Sequence, residues 1–413
     1  MKLIKMSLVA ALTIGSSAFA IENTEFSGNA QLFYQTVDAG DDAFFSPANS
    51  TADTGLNLNI SSDLVKNDTV TISGGAGFTA LSTLGLENSI VNGVWGNAHS
   101  ATANNSSLGA KVDNTSWMNE AWLAVTAGKT TVKLGRMDID TPLAFTETWS
   151  IEKNTFEAGV VINQDIPGTT VVGAYIGNGN GAEDFGADAT STGISSGGIV
   201  NTNAKFTTFG SDGAYAIGAI NNSFEPLTVQ AWYYNVTSVV KAYWLQADLS
   251  MAGVMAGVQY SGHTLDDAIA DDISSDVFAV MLGYEMQDTF TAKVSYSQVG
   301  EDFAAGFNTA TNIATAQSKL YTEAWLMYGS VTQADTASFN VTVEAPVADV
   351  FDLGVYYTSA DQSTDAGNND VTDLTVSASK SFGPLDTSLV YSNIDGEFID
   401  GYNQLQAYLT LNF

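Results

Sequence analysis

The last ten residues alternate without a break. Leu405, Ala407, Leu409, Leu411 and Phe413 are apolar, and Gln404, Gln406, Tyr408, Thr410 and Asn412 between them carry polar groups. Side chains of a β-strand point alternately to its two faces, so the pattern predicts a strand with one oily and one wet face. The start of the chain repeats it, with Phe26, Gly28, Ala30, Leu32 and Tyr34 on one face and Ser27, Asn29 and Gln31 on the other. Between these two, the same period predicts strands at Leu56–Ile60, Val70–Phe78, Ala121–Val125, Val132–Leu134, Phe156–Ile162, Val171–Ile176, Ala214–Ile220, Leu227–Tyr234 and Ala242–Leu249. It continues at Val254–Tyr260, Phe278–Met286, Phe290–Tyr296, Leu320–Tyr328, Phe339–Ala345, Phe351–Tyr357, Leu374–Ala378 and Leu385–Tyr391, nineteen strands in all. Turns of a few residues, such as Lys66-Asn67-Asp68, Ala127-Gly128-Lys129 and Gln287-Asp288, punctuate them, while residues 81–115 and 178–213 lack a period and read as long surface loops.

Residues 1–20 place Lys2 and Lys5 before an apolar run from Leu8 to Ile14 and then Ala18-Phe19-Ala20. This is the pattern of an exported leader cleaved after Ala20, which leaves 21–413 as a single domain. Past the leader no stretch reaches the roughly 18 consecutive apolar residues that a spanning helix needs. Oily strand faces that meet a bilayer must then belong to a closed barrel, the one sheet without an unpaired edge. The expected fold is therefore all-β: a transmembrane antiparallel β-barrel in the bacterial outer membrane, with short periplasmic turns and long extracellular loops. Bacterial single-chain barrels have even strand numbers, so one of the nineteen is false. Short/long alternation fails between Ser330 and Phe351, which marks that region as the suspect and gives eighteen strands, with sixteen as the alternative. The terminal Phe413 suits a membrane interface, and this end resembles the C-terminal assembly signal of bacterial outer-membrane barrels.

Composition adds limits rather than a new direction. The chain holds 45 acidic and 13 basic residues, and loss of the two leader lysines takes the formal charge from −32 to −34. Nucleic acid is excluded as a natural partner; lipid, lipopolysaccharide and small hydrophilic solutes are the expected ones. With no cysteine, stability must come from the ladder itself. The 44 aromatic residues (21 Phe, 16 Tyr, 7 Trp) argue against a disordered coat. His99 and His263 are the only histidines and read as solvated loop residues. They supply neither a catalytic triad nor a metal cluster, so no enzyme and no bound cofactor are expected. The acidic loop with Asp266, Asp267, Asp271, Asp272 and Asp276 lacks EF-hand spacing, which leaves only loosely bound divalent cations to consider.

A weak echo links Asn119-Glu120-Ala121-Trp122, Thr322-Glu323-Ala324-Trp325 and Gln230-Ala231-Trp232. Alternation turns Glu120, Trp122, Gln230, Trp232, Glu323 and Trp325 toward the lumen, the alternative for the indoles being interfacial belts. The same parity sends Lys133, Glu157, Asp248, Glu285 and Lys293 inward, with Lys319 as a further candidate.

One stretch resembles a known family. Lys133-Leu134-Gly135-Arg136-Met137, Asp140-Thr141-Pro142-Leu143 and Lys153-Asn154-Thr155-Phe156-Glu157 look like the signature of OprD-type porins, a family that includes the major outer-membrane proteins of campylobacter-like bacteria. The resemblance implies an eighteen-stranded channel, often trimeric, that passes small hydrophilic solutes. Substrate-specific members use a ladder of lumen arginines to guide carboxylates, but Arg136 is the single arginine here. It sits on the lipid-facing parity, so it either snorkels at the outer rim or, as the favoured reading, is turned inward by a bulge at Gly135 onto Asp138 and Asp140. A passive diffusion channel with weak cation preference, carried by Glu120, Glu157 and Glu323 and opposed by Lys293, is the leading expectation. A substrate-specific channel and a structural or adhesive barrel are the alternatives.

Overall fold

The computed structural model describes residues 22–413 apart from 39–42, 89, 100–113, 182–197, 202–203, 268, 271–272, 311–315, 349, 364–365, 368 and 398. The leader, Asp271 and Asp272 thus lie outside the described residues. Eighteen long strands form one antiparallel sheet: β1 (Glu22–Asp38), β2 (Ser50–Lys66), β3 (Val70–Ser82), β4 (Thr115–Ala127), β5 (Thr130–Met137), β6 (Phe156–Asn163), β7 (Thr169–Gly179), β8 (Ala214–Phe224) and β9 (Leu227–Val236). The circuit continues through β10 (Val240–Met251), β11 (Val254–Leu265), β12 (Ser274–Met286), β13 (Phe290–Val299), β14 (Thr336–Val347), β15 (Phe351–Gln362), β16 (Val371–Phe382), β17 (Leu385–Gly396) and β18 (Ile399–Asn412). Each strand pairs with the next, and β18 returns to β1, with Asn29 opposite Asn412 and Asp38 opposite Asn403. A two-residue strand, Thr207–Thr208, is added to the end of β7 but β7 itself pairs with β8.

Nineteen expected strands become eighteen by one change, and it falls outside the suspected region. Phe339–Ala345 belongs to β14, a full member of the wall. Leu320–Tyr328 is the false strand and runs inside the barrel as part of a long loop. The loop-end connections are also less uniform than expected, since only residues 237–239 separate β9 from β10.

The outer surface follows the oily parity. Leu123, Leu134, Leu282 and Leu389 are more than half exposed on the outside of the wall. Two aromatic girdles bound this aliphatic band. Near the loop end Tyr175 meets Tyr215, Tyr243 meets Tyr260 and Phe278 meets Tyr296, with ring centroids 5.0, 5.7 and 6.0 Å apart. At the end that carries the termini, Phe26 stacks on Phe413 at 6.2 Å, and Tyr284 meets Phe290 at 6.2 Å. Tyr and Phe thus make the belts that a membrane interface favours. The tryptophans do not: Trp117, Trp232 and Trp244 are buried on the inner face, Trp122 lies across Gly75, and Trp95, Trp149 and Trp325 sit on loops.

Loops folded into the barrel supply its core. The third loop (138–155) and seventh loop (300–335) bring Ile139, Leu143, Ala305, Leu320 and Val331 against Trp232, Trp244, Val277 and Ala279 of the inner wall. A second apolar cluster joins Val94, Trp95 and Ala98 of the second loop (83–114) to Phe33, Leu81 and Trp117 of the wall and to Ile151. Apolar filling of this kind had no counterpart in the strand pattern, where loops read simply as polar surface.

Candidate permeation site

Buried backbone N–H groups must find acceptors, and inward loops cannot take them from a ladder. Carboxylates serve instead, because each offers two oxygens with several lone pairs. Asp53 on β2 accepts the Trp95 and Asn97 amides of the second loop, the latter at 2.8 Å. Asp373 on β16 accepts those of Leu326 and Met327 in the seventh, at 2.7 and 3.1 Å. Glu147 of the third loop takes the Gln317 amide and the Asn308 Nδ2, both at 3.0 Å. Asn308 also bridges the backbone of Phe145 in both directions, and Thr309 donates twice to the Leu143 carbonyl. Leu143, Phe145 and Glu147 of the third loop therefore clamp Asn308, Thr309 and Gln317 of the seventh, with Asn154 fully buried and accepting the Glu147 amide at 2.7 Å.

His99 is the keystone of the clamp rather than a solvated loop residue. Its Nδ1 lies 2.8 Å from Glu152 Oε1 and its Nε2 3.2 Å from Glu147 Oε2, while its backbone N–H donates to Glu152 at 2.7 Å. Burial by itself would depress the imidazole, but hydrogen bonds and charge from the two glutamates outweigh it and hold His99 up at about 10. His263 is likewise no loop residue: it is buried on β11, 5.4 Å from the Phe307 ring.

The structure brings together some sequence-predicted residues and separates others. Glu120 faces inward and pairs with Lys153 Nζ at 2.7 Å. Lys133 stands 4.2 Å above the Trp122 ring. Trp232 donates to Gln230 at 2.9 Å, and Asp248 accepts Gln246 Nε2 at 2.7 Å and the Tyr321 hydroxyl at 2.5 Å. Glu285 and Lys293 keep the inward parity near the termini, on the same faces as the buried Ala279 and Ser295. Arg136 departs from the favoured inward reading and keeps the outward alternative. Gly135 does take a left-handed φ of 126°, yet Arg136 keeps the parity of Leu134 and binds Glu157 at 2.9 Å and the Met118 carbonyl at 3.2 Å. Glu157 is thereby on the outward side with it, and Asp138 binds Lys153 instead. Asp140 takes Lys319. Glu323 and Trp325 reach the interior from the seventh loop and not from the wall. Ser318 donates to Glu323 through both its amide and its hydroxyl, and burial pushes this carboxyl up to about 8.

What the loops leave open is a cavity of about 650 Å³ against β1, β14, β15, β17 and β18. The wall contributes Gln31, Asn340, Thr342, Tyr356, Ser388 and Tyr408, and the loops contribute Trp149, Gln317, Tyr321, Glu323, Trp325 and Tyr328. A smaller hollow of about 290 Å³ opens at the terminal end between Glu285, Asp288, Glu344 and Asp352. Sequence reasoning found Glu323, Trp325 and Glu285 but missed the tyrosines; the wet-face position of Tyr408 was the available signal.

A closed eighteen-stranded barrel with loops packed into its lumen is the fold of a class of outer-membrane channels. Among solved structures, Pseudomonas aeruginosa OccK3 (OpdO) superposes with a TM-score of 0.72 at 12% identity, covering 97% of this chain and 99% of that one. Pseudomonas aeruginosa OccK1 (OpdK) gives 0.72 at 15%, with 95% and 99% covered, and Acinetobacter baumannii OccAB4 gives 0.71 at 13%, also with 95% and 99% covered. One OpdK structure was determined with vanillate. The OprD-type resemblance is met at the level of the fold by these Occ and Opd proteins. No family model matches the sequence, and no curated protein matches it.

Proposed function

We propose that the protein is an outer-membrane porin through which small hydrophilic solutes and ions diffuse passively. The observation that carries this reading is the polar cavity of about 650 Å³, kept clear between clamped loops and an uncharged stretch of inner wall. The oily band and its two aromatic girdles support a bilayer setting. Trimeric assembly rests on the OprD-type resemblance, and contact with lipopolysaccharide on divalent bridging from acidic loop residues such as Asp266, Asp267 and Asp276.

The reading includes weak cation preference, with different carriers from those the sequence suggested. Glu120 is paired with Lys153 and Glu157 with Arg136, and burial favours the neutral form of Glu323 near neutral pH. The terminal hollow, by contrast, is lined by Glu285, Asp288, Glu344 and Asp352 without a lysine or arginine among its lining residues. A mouth with an excess of one sign of charge, here four acids against the neighbouring Lys293, focuses its potential on passing ions, and salt screens it. In planar bilayers the pure protein should give discrete conductance steps and a cation-selective reversal potential in a potassium chloride gradient. Glu285→Gln/Glu344→Gln should move that potential toward zero, whereas Glu157→Gln should leave it in place. A protein without steps, or an anion-selective parent, would overturn the reading.

A further inference from the structure

The large cavity is rich in aromatic rings and poor in charge. Trp149, Tyr321, Trp325, Tyr328, Tyr356 and Tyr408 all line it, drawn from two loops and two wall strands. Trp149 and Tyr328 meet at 5.7 Å and 42°, and Trp325 and Tyr356 at 6.3 Å and 35°, so neither pair stacks flat and hides its faces. Around the rings stand amides and hydroxyls, among them Gln31, Gln317, Asn340, Thr342 and Ser388. Among the described residues, Glu323 is the one acidic residue in the lining, and no lysine, arginine or histidine is found there.

This chemistry discriminates among solutes. An anion entering the cavity meets no cation, and aromatic faces carry negative charge density. A metal ion meets a single carboxylate already held by Ser318. A neutral ring-shaped polyol fits both halves of the lining. Its C–H faces can lie against indole and phenol rings, and its hydroxyls, which both donate and accept, match amides and hydroxyls that do the same. The volume falls within the range of about 300–1,000 Å³ typical of small-ligand sites.

We infer that this cavity is a saccharide station on the diffusion path, selecting neutral sugars of one to three rings. The inference rests on the channel reading and adds to it a solute class and a place. Its test uses single-channel recording of the full-length protein in potassium chloride with maltotriose added. The sugar should interrupt the current in proportion to its concentration. Trp325→Ala should weaken the block by roughly three- to tenfold, as expected for the loss of one aromatic contact, in a channel that still gives conductance steps and is read against its own sugar-free level, and Trp325→Phe should restore most of the block. A conducting channel indifferent to maltotriose, or one blocked by vanillate but not by sugar, would overturn the saccharide station and leave the porin intact. A protein that conducts nothing would defeat the porin reading instead. The station is then judged by titrating tryptophan fluorescence of the detergent-solubilised protein with maltotriose, where a flat response counts against it.

Discussion

At the scale of the residue, the acids of this chain divide into anchors and free charges, and position rather than number decides which is which. Glu147 and Glu152 are 2% exposed, and each bonds His99 from a different side. Removing one member of such a group leaves an uncompensated buried charge, which costs far more than a surface pair returns. His99→Gln should therefore lower stability by on the order of 3 kcal/mol at pH 6.5. The pH dependence has a definite sign. A histidine whose folded value is raised to about 10 contributes fully below its ordinary value near 6.5 and loses that contribution as pH climbs toward 10. The Glu323 carboxyl, raised to about 8, acts in the same direction, since its neutral form is the one the fold favours. The thermal midpoint of the parent should fall between pH 6.5 and 10, and that of His99→Gln should start lower and fall less. Parallel curves for the two would show that the imidazole is uncharged in the clamp. Nothing local in the sequence announced this group, because His99 lies 48 and 53 residues from its partners.

At the scale of the element, period two proved to be a statement about faces and not about ladders. In Leu320–Trp325 the even positions Leu320, Thr322 and Ala324 are buried, while Tyr321, Glu323 and Trp325 line the cavity. An extended segment that threads between a core and a wet cavity alternates just as a wall strand does, which is why it was read as one. The wall strands were legible for a second reason: their partners are sequence neighbours, joined by short turns at the terminal end, so pattern and topology agree. The same parity predicts the cost of a misplaced charge. Leu389 and Leu409, 51% and 42% exposed on the outer face, should each lose about 2–4 kcal/mol on replacement by arginine if they lie near the bilayer midplane. Thr410→Arg, on the cavity side, should cost little. A larger loss for Thr410→Arg than for the two leucine variants in lipid-vesicle refolding titrations would mean that the two faces had been exchanged.

At the scale of the whole molecule, the lumen is asymmetric. Loops three and seven pack mainly with the wall of β5–β13 into an apolar cluster, and the open space is left along β14, β15, β17, β18 and β1. The sequence carried the barrel and the inward parity of Trp122, Trp232 and Glu285, but not the acidic mouth formed with Asp288, Glu344 and Asp352. It could not show on which side the loops would fold, since that depends on contacts such as Asn308 to Phe145, 163 residues apart. The chain contains no cysteine, so the asymmetry can be probed with single introduced thiols. Ser388→Cys lines the cavity on β17, and Ala242→Cys on β10 is buried within the apolar cluster. The decisive measurement is the single-channel current of these two variants before and after a cationic thiosulfonate reagent. The account predicts a stepwise fall in current for Ser388→Cys and no change for Ala242→Cys. A current that falls for Ala242→Cys and holds for Ser388→Cys would place the path on the opposite wall and contradict it.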